Sequence, residues 1–416
     1  MVLLKMLKML IIADDLSGAL DTAVAFSADN VQTLVSVDTN IRKCVHANPN
    51  MTVLAVDAKT RHLEPAEAYR IVFDIVKEAK ALGIPYIYKK TDSALRGNIG
   101  SELQAALCAS GESQIHFVPA FPKHNRYTVG GIHFIDGIPV AQSVFGRDPF
   151  EPVSQSSVSD IIAAQTGIPV TLSDAGNIDT ATNGIIVHNI ASTMDMERVI
   201  TGLCNAGKIN LLAGCGGLAE AMLAHIPLPR QAVKGEALLF DRLLLVCGSV
   251  NPITAAQIAL AEKNGFARLN LPLAIKLGTA NEEHINVFFD QWKAAYHANS
   301  FVIIDTMDLH EQGETLRYAL KHGMELSQMR EQIALTLGKI TKRILDYGFC
   351  GALMVTGGDT VLGLLGQLDV QTLIPVSEIA PGTILSQITY HGKNHQLLTK
   401  SGGFGDENLL MKLMKK

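Results

Sequence analysis

At 416 residues the chain exceeds the length over which one hydrophobic core usually keeps growing, so two domains of roughly 200 residues each are the default. A net charge of -5, no basic run and 18% charged residues against the usual ~25% argue against disorder and general nucleic-acid binding, and favour small-molecule partners. No stretch approaches the ~18 uninterrupted apolar residues that cross a bilayer, so a cytoplasmic protein with no membrane contact is expected.

The N-terminal MVLLKMLKMLIIA lacks the small-residue cleavage site of a signal peptide and runs into a first strand, Met9–Ala13; Met6 or Met9 could equally be the true start. That strand ends on Asp14-Asp15, followed at once by Leu16-Ser17-Gly18. In an open parallel sheet the carboxyl ends of the strands form the ligand crevice, and acids placed there can accept hydrogen bonds from a polyol or hold a metal. Further strands are expected at 51–56, 115–118, 170–172, 184–187 and 209–212, alternating with helices as βα units do. Arg61 follows the 51–56 strand, and a guanidinium can grip a substrate carboxylate with two parallel hydrogen bonds. A helix is expected over 66–82, with Pro65 at its start and Gly83 at its end. A second polar constellation, Lys89-Lys90-Thr91-Asp92-Ser93-Ala94-Leu95-Arg96-Gly97, follows the apolar pair Ile87-Tyr88. The two constellations together suggest a small, polar, anionic substrate.

From 119 to 157 the rhythm gives way to a long stretch rich in Pro, Gly and aromatics, with a hairpin expected around Asp136-Gly137. It is expected to cover the substrate or to form a homodimer, which a monomer mass by light scattering would exclude. Gly214-Cys215-Gly216-Gly217-Leu218-Ala219 matches the dinucleotide pattern G-x-G-x-x-A, but no second strand ending in an acid follows. Close helix–sheet packing is the preferred reading of these glycines, with an NAD-dependent dehydrogenase as the alternative. Periodicity is lost over 227–240, which sets the expected domains at 1–230 and 241–416. The second half resumes with a strand from Leu243, a helix from Asn251, strands at 301–305 and 352–355, a long helix over 326–347 and a short C-terminal helix.

Three turns in the second half follow apolar runs: Gly248-Ser249-Val250-Asn251-Pro252, Gly357-Gly358-Asp359-Thr360 and Ser401-Gly402-Gly403-Phe404-Gly405. Such turns let the backbone approach a ligand closely and present N–H groups to phosphate. The Walker pattern is absent. The six cysteines (Cys44, Cys108, Cys204, Cys215, Cys247, Cys350) form no C-x-x-C and are expected to be reduced and buried. None of the thirteen histidines has metal-ligand spacing; His116 reads as a strand residue, and His124 is open between loop and ligand. The adjacent pair Asp14-Asp15 also departs from the haloacid-dehalogenase pattern, whose acids stand two residues apart.

I-A-D-D-L-S-G-A near the start, K-K-T-D-S-A-L-R-G-N-I-G at 89–100, P-A-F-P with V-G-G and D-G-I-P-V, then G-S-V-N-P, T-G-G-D-T and K-S-G-G-F-G resemble the four-carbon acid sugar kinase family, in order over nearly the whole chain. The resemblance implies two α/β domains, each a mainly parallel sheet flanked by helices, with a cleft that closes on both substrates. It implies transfer of a phosphoryl group from ATP, with Mg²⁺, to the terminal hydroxyl of D-threonate, D-erythronate or a 3-oxo-tetronate. By motif, the sugar-acid site would be Asp15, Arg61, Lys90, Thr91, Asp92 and Ser93, with Asp15 or Asp92 as base. Arg61 would clamp the carboxylate, with Lys90 as charge support. The ATP site would be Ser249, Gly357, Gly358, Asp359, Thr360, Gly402 and Gly403. No protein-bound metal is expected, since no histidine has metal-ligand spacing. A sugar-acid sensor without turnover is the non-enzymatic alternative.

Overall fold

The structure, a computed structural model, describes residues 7–148, 151–231, 240–309 and 313–414. The start alternatives Met1 and Met6 and the boundary residues 232–239 lie outside the described residues. The chain divides into two compact units, Met1–Lys234 and Gly235–Lys416.

In the first unit the strands are β1 (Met9–Ala13), β2 (Thr33–Ser36), β3 (Val53–Asp57), β4 (Tyr86–Lys90), β5 (Gln114–Val118), the short β6 (Arg126–Val129), β7 (Ile132–Ile135) and β8 (Ile138–Pro139), then β9 (Val170–Ser173), β10 (Gly184–His188) and β11 (Leu211–Gly214). The helices are α1 (Leu16–Ala28), α2 (Ile41–Ala47), α3 (Pro65–Ala81), α4 (Ile99–Ser110), α5 (Val158–Ala163), α6 (Thr193–Asn205) and α7 (Gly216–Met222). The main sheet runs β2-β3-β1-β4-β11-β5-β10-β9, parallel throughout. Helices cover both faces, which is why β1, β3 and β5 are buried at every position. Leu10, Ile12, Leu54, Val56, Ile115, Phe117, Ile185 and Val187 form its core. In α3, Pro65 occupies the first turn and Ala68, Val72, Ile75, Val76 and Ala79 form the buried stripe. The sequence reading missed β2, whose four residues include two hydroxyls, and it started β3 and β11 two residues early.

The long segment folds as an antiparallel β6-β7-β8 sheet. Asp136 (φ 50°) and Gly137 (φ 79°) make the β7–β8 turn with two left-handed residues. Ala94, Ile135, Val140 and Val153 bury themselves together, packing this segment on the loop that follows β4.

The second unit contains β12 (Leu243–Cys247), β13 (Ala267–Asn270), β14 (Phe301–Asp305), β15 (Ala352–Thr356), β16 (Thr372–Ala380), β17 (Thr383–Tyr390) and β18 (Lys393–Lys400). Its helices are α8 (Pro252–Lys263), α9 (Leu273–Lys276), α10 (Glu282–Ala298), α11 (Glu314–Lys321), α12 (Leu326–Asp346), α13 (Gly358–Leu368) and α14 (Leu409–Leu413). The order β13-β14-β12-β15-β18 is parallel, and β18-β17-β16 continues it as an antiparallel meander. Helices α12 and α13 meet at glycines: a Cβ on Gly338 would lie 2.5 Å from the Gly363 carbonyl oxygen. Gly338→Ala gains about 1 kcal/mol of helix propensity but meets backbone that cannot rotate away, and a net loss of about 2 kcal/mol is expected in denaturant titration. A variant as stable as wild type would show that the two helices can separate without penalty.

All six cysteines are free, but only Cys44, Cys215 and Cys247 are buried. The buried-thiol expectation fails at the exposed Cys108 and Cys350 and at the half-buried Cys204, because helix surfaces and turns tolerate a small thiol facing water. Among the described residues no helix is long and apolar enough to cross a membrane.

Candidate active site

The sheet register brings three separate stretches of sequence to one edge. Ala13, at the end of β1, aligns with Asp57 of β3 on one side and Lys90 of β4 on the other. Asp14-Asp15, Asp57 to Arg61 and Lys90 to Ser93 therefore leave the sheet side by side. Asp15 caps α1, its Oδ1 accepting from Gly18 N at 2.8 Å. A Cβ on Gly18 would lie 2.8 Å from Asp15 Oδ1 and 3.0 Å from Lys90 Nζ, so a larger residue there would push on both side-chain ends.

Arg61 reaches this edge with its charge already engaged. Its Nε donates to Asp14 Oδ2 at 2.8 Å and its Nη1 to Asp15 Oδ2 at 2.6 Å, while Nη2 stands 3.8 Å from Asp92 Oδ1. Protein carboxylates thus already take Nε and Nη1 of the guanidinium expected to clamp the substrate carboxylate. Asp92 accepts from Arg96 Nε and Nη2 at 2.8 and 3.0 Å and from the amides of Ala94 and Arg96. Arg96 also donates to Asp148 of the long segment at 3.2 Å. Asn98 Nδ2 donates to the carbonyls of Thr60 and Leu63, both at 2.8 Å, which ties the Arg61 loop to the Asp92 loop. Gly97 (φ 83°) makes the close approach feasible, because a Cβ would come within 3.1 Å of Arg61 Cγ.

Beneath this layer the fully buried Lys89 ammonium donates to Glu102 Oε2 at 2.8 Å and to the carbonyls of Ile12 and Lys90. Burial opposes the ionised form of Asp14, but Arg61 and Lys89 outweigh it and hold the carboxyl below its usual pKa. Burial likewise opposes ionisation of Asp92, and Arg96 and Arg61 overcome it to hold that group well below the usual range. For Asp57 burial, with repulsion from Asp15, outweighs the pull of Lys59 and its amide and pushes the carboxyl up to about 7. Because that folded value exceeds the unfolded one near ~3.9, the native state keeps a proton that the unfolded chain gives up, and Asp57 erodes stability as pH rises from about 4 to 7. Asp57→Asn removes the erosion. It should be more stable than wild type by at least about 1 kcal/mol at pH 8 and similar to it at pH 4, as read by urea titration; an unchanged difference across pH would reject this account.

The long segment is tied to the same loop. His133 sits between Thr128 Oγ1 and the Ser93 carbonyl oxygen, 3.0 Å from each, and burial lowers its pKa to about 4. This fixes the register of β6, whose Arg126 donates from Nη1 to Ser93 Oγ. Arg126 and Arg96 both lie over the Phe145 ring, at 5.5 and 5.1 Å from its centroid. Buried Lys90 donates to the Thr91 carbonyl at 2.9 Å, and the Thr91 hydroxyl is buried without a hydrogen-bond partner among the described residues.

In the second unit the three turns converge. Gly248 N donates to the Thr356 carbonyl and Gly357 N to the Lys400 carbonyl, at 3.3 and 3.2 Å, joining the ends of β12, β15 and β18. A Cβ on Gly402 would lie 2.5 Å from Ser249 Oγ, so the Ser401–Gly405 turn lies against Ser249. Gly357 (φ 102°) precedes α13, whose N-terminus has no side-chain cap, and Asn251 caps α8 by accepting from Ile253 N at 2.9 Å. Asp359 pairs with Arg330 at 2.8 Å, and Thr360 is buried beside Gly248 and Gly357. Lys400 donates to Thr254 Oγ1 and to the Ser401 and Gly402 carbonyls, and burial lowers its pKa to about 8.

Gly214, Gly216 and Gly217 serve packing: a Cβ on each would press on Val118, Phe121 and Ala120 respectively. His116 is a β5 residue, 3.0 Å from His188, and His124 meets Phe121 edge-on at 4.3 Å. Arg126, Asp148, Glu102 and Lys400 were absent from the sequence-derived site. The available signal was their charge inside otherwise apolar or turn-forming stretches, notably R-Y-T-V-G-G and G-R-D-P.

The fold and these two edges match two family descriptions: residues 9–222 a "Sugar-binding N-terminal domain" and residues 244–410 a "Nucleotide-binding C-terminal domain". They define a protein that joins a sugar-binding domain to a nucleotide-binding one. The chain is 28% identical to a D-threonate kinase of Salmonella typhimurium over 97% of both chains. It is 27% identical to a D-erythronate kinase of Heliobacterium modesticaldum, over 97% of this chain and 95% of that one, and 24% identical to a 3-oxo-tetronate kinase of Pseudomonas fluorescens with the same coverage. The chain belongs to the four-carbon acid sugar kinase family. Solved structures from Salmonella typhimurium (TM-score 0.77, 20% identity, 99% of each chain) and Haemophilus influenzae (TM-score 0.70, 19% identity, 96% of this chain and 97% of that one) share the fold.

Proposed function

We propose that this enzyme transfers the γ-phosphoryl group of ATP to the terminal hydroxyl of a four-carbon sugar acid such as D-threonate, D-erythronate or a 3-oxo-tetronate. The observation that carries the reading is Asp15, a carboxylate with a side chain 26% exposed at the edge of a sugar-binding domain where Asp14 and Asp92 are 2% and 9% exposed. Asp92 has its lone pairs taken up by Arg96 and two amides, so Asp15 is the better candidate to orient the attacking hydroxyl and accept its proton. Lys90, Thr91, Asp92 and Ser93 complete the proposed sugar-acid pocket, and Arg61 holds Asp15 in place.

Ser249, Gly357, Gly358, Asp359, Thr360, Gly402 and Gly403 are proposed to cradle the nucleotide. The uncapped start of α13 offers free amides to its phosphates. Magnesium is proposed to enter as Mg-ATP. Among the described residues no group of three or more His, Cys, Asp or Glu is placed to cage an ion, and Mg²⁺ commonly keeps phosphate and water ligands. Phosphoryl transfer asks mainly for positioning and charge stabilisation, which this arrangement can provide.

The test is ADP production from Mg-ATP with purified protein against D- and L-threonate, D- and L-erythronate and their 3-oxo derivatives. Turnover with one acid well above the others supports the reading and names the substrate. No turnover with any of them, from protein that binds ATP, sinks it.

A further inference from the structure

The charges around the proposed sugar-acid pocket do not cancel locally. Arg61, Arg96 and Lys89 each have a protein carboxylate within hydrogen-bond distance. Lys90 and Arg126 have none among the described residues: Lys90 makes its one hydrogen bond to a carbonyl, and Arg126 makes its one to Ser93 Oγ. Arg126 Nε is moreover buried with no hydrogen-bond partner among the described residues. A buried donor of this kind costs free energy unless a ligand supplies the missing oxygen.

The two cations differ in what they can hold. Lys90 Nζ and Asp15 Oδ1 both border Gly18, near where the reacting hydroxyl is proposed to sit. Arg126 lies beside Ser93 and carries a planar fork whose Nε and Nη2 make no hydrogen bond among the described residues. A carboxylate presents two oxygens in a plane and matches such a fork with two parallel hydrogen bonds. The strand bearing Arg126 is fixed by His133, which bonds to Ser93 through the neighbouring strand, so the fork is held before substrate arrives.

We infer that Arg126, on the first strand of the long segment, binds the carboxylate of the sugar acid, with Ser93 Oγ beside it, and so selects acids over neutral polyols. This rests on the proposed sugar-acid substrate. Arg61, with one arm of each of its forks taken by Asp14 or Asp15, positions Asp15 instead.

The test compares wild type, Arg126→Ala and Arg126→Lys for binding of the preferred four-carbon acid and of its neutral carboxamide, by titration calorimetry without nucleotide. Arg126→Ala is expected to weaken acid binding about 100-fold while changing carboxamide binding less than about 3-fold, and Arg126→Lys to recover part of the loss. In turnover the same variants should raise KM for the acid and leave KM for ATP unchanged. Equal weakening of acid and carboxamide, or unchanged acid binding, in a variant with wild-type melting overturns the inference. Should Arg126→Ala not fold, Arg126→Gln supports the same comparison with the stem retained. Wild-type protein that binds an acid without phosphorylating it defeats the kinase reading while the variants still decide this one; wild type that binds no four-carbon acid defeats both.

Discussion

Asp15→Asn is expected to lower kcat by about 10³-fold while leaving the fold and the nucleotide affinity intact. The substitution is close to silent structurally. Asn caps a helix as well as Asp does, so the bond from Gly18 N survives, and Arg61 keeps its anchor in buried Asp14. What is lost is a carboxylate that can orient the attacking hydroxyl and take its proton. A transition-state effect of this kind appears in kcat and kcat/KM together, with KM for the sugar acid little changed. Steady-state kinetics with the preferred acid checks it. A kcat within about tenfold of wild type would mean that positioning by the neighbouring groups suffices and that the proton leaves to water.

Arg61→Ala is expected to cost about 3–5 kcal/mol of stability in the first unit, because it leaves the Asp14 carboxylate buried without its cation. The pH dependence gives a second readout. In wild type the Asp14 pKa is depressed, so its stabilisation is present above the unfolded value near ~3.9 and fades as pH falls through the folded one. Without Arg61, burial dominates and the carboxyl is penalised when ionised. The gap between variant and wild type should therefore widen from about pH 4 to pH 7. Adding Asp14→Asn to the variant should restore part of the stability at pH 7 but not the activity, because Asp15 would still lack its positioning partner. Urea denaturation at the two pH values, with kinetics alongside, separates these effects. A pH-independent loss would assign the role of Arg61 to packing of its stem rather than to charge.

Much of the sugar-binding edge was legible because it obeys a local rule: an apolar run that ends abruptly in charge marks the carboxyl end of a buried strand. Asp14-Asp15 after β1 and Lys90 to Ser93 after β4 follow it, and the register then aligns them without further information. Lys89 was harder to read, since a lysine inside a strand suggests an exposed face; its neutralisation by Glu102 depends on where α4 docks. For Arg126 and Asp148 the charge was visible but the place was not, for a related reason. Their places depend on how an irregular segment folds back over the Asp92 loop, which no periodicity encodes. The meander from β16 to β18 was hidden by Pro375, two register shifts and many polar residues, which blur the alternation that marks a strand.

The string Gly214 to Ala219 carries the letters of a dinucleotide site inside the sugar-binding half of the chain. The Val118 carbonyl leaves no room for a methyl group on Gly214, and Phe121 and Ala120 crowd one on Gly216 and Gly217. An alanine scan across it would therefore report on expression yield and melting temperature rather than on cofactor affinity. An annotation pipeline keyed to those letters would assign the nucleotide to the wrong half of the molecule.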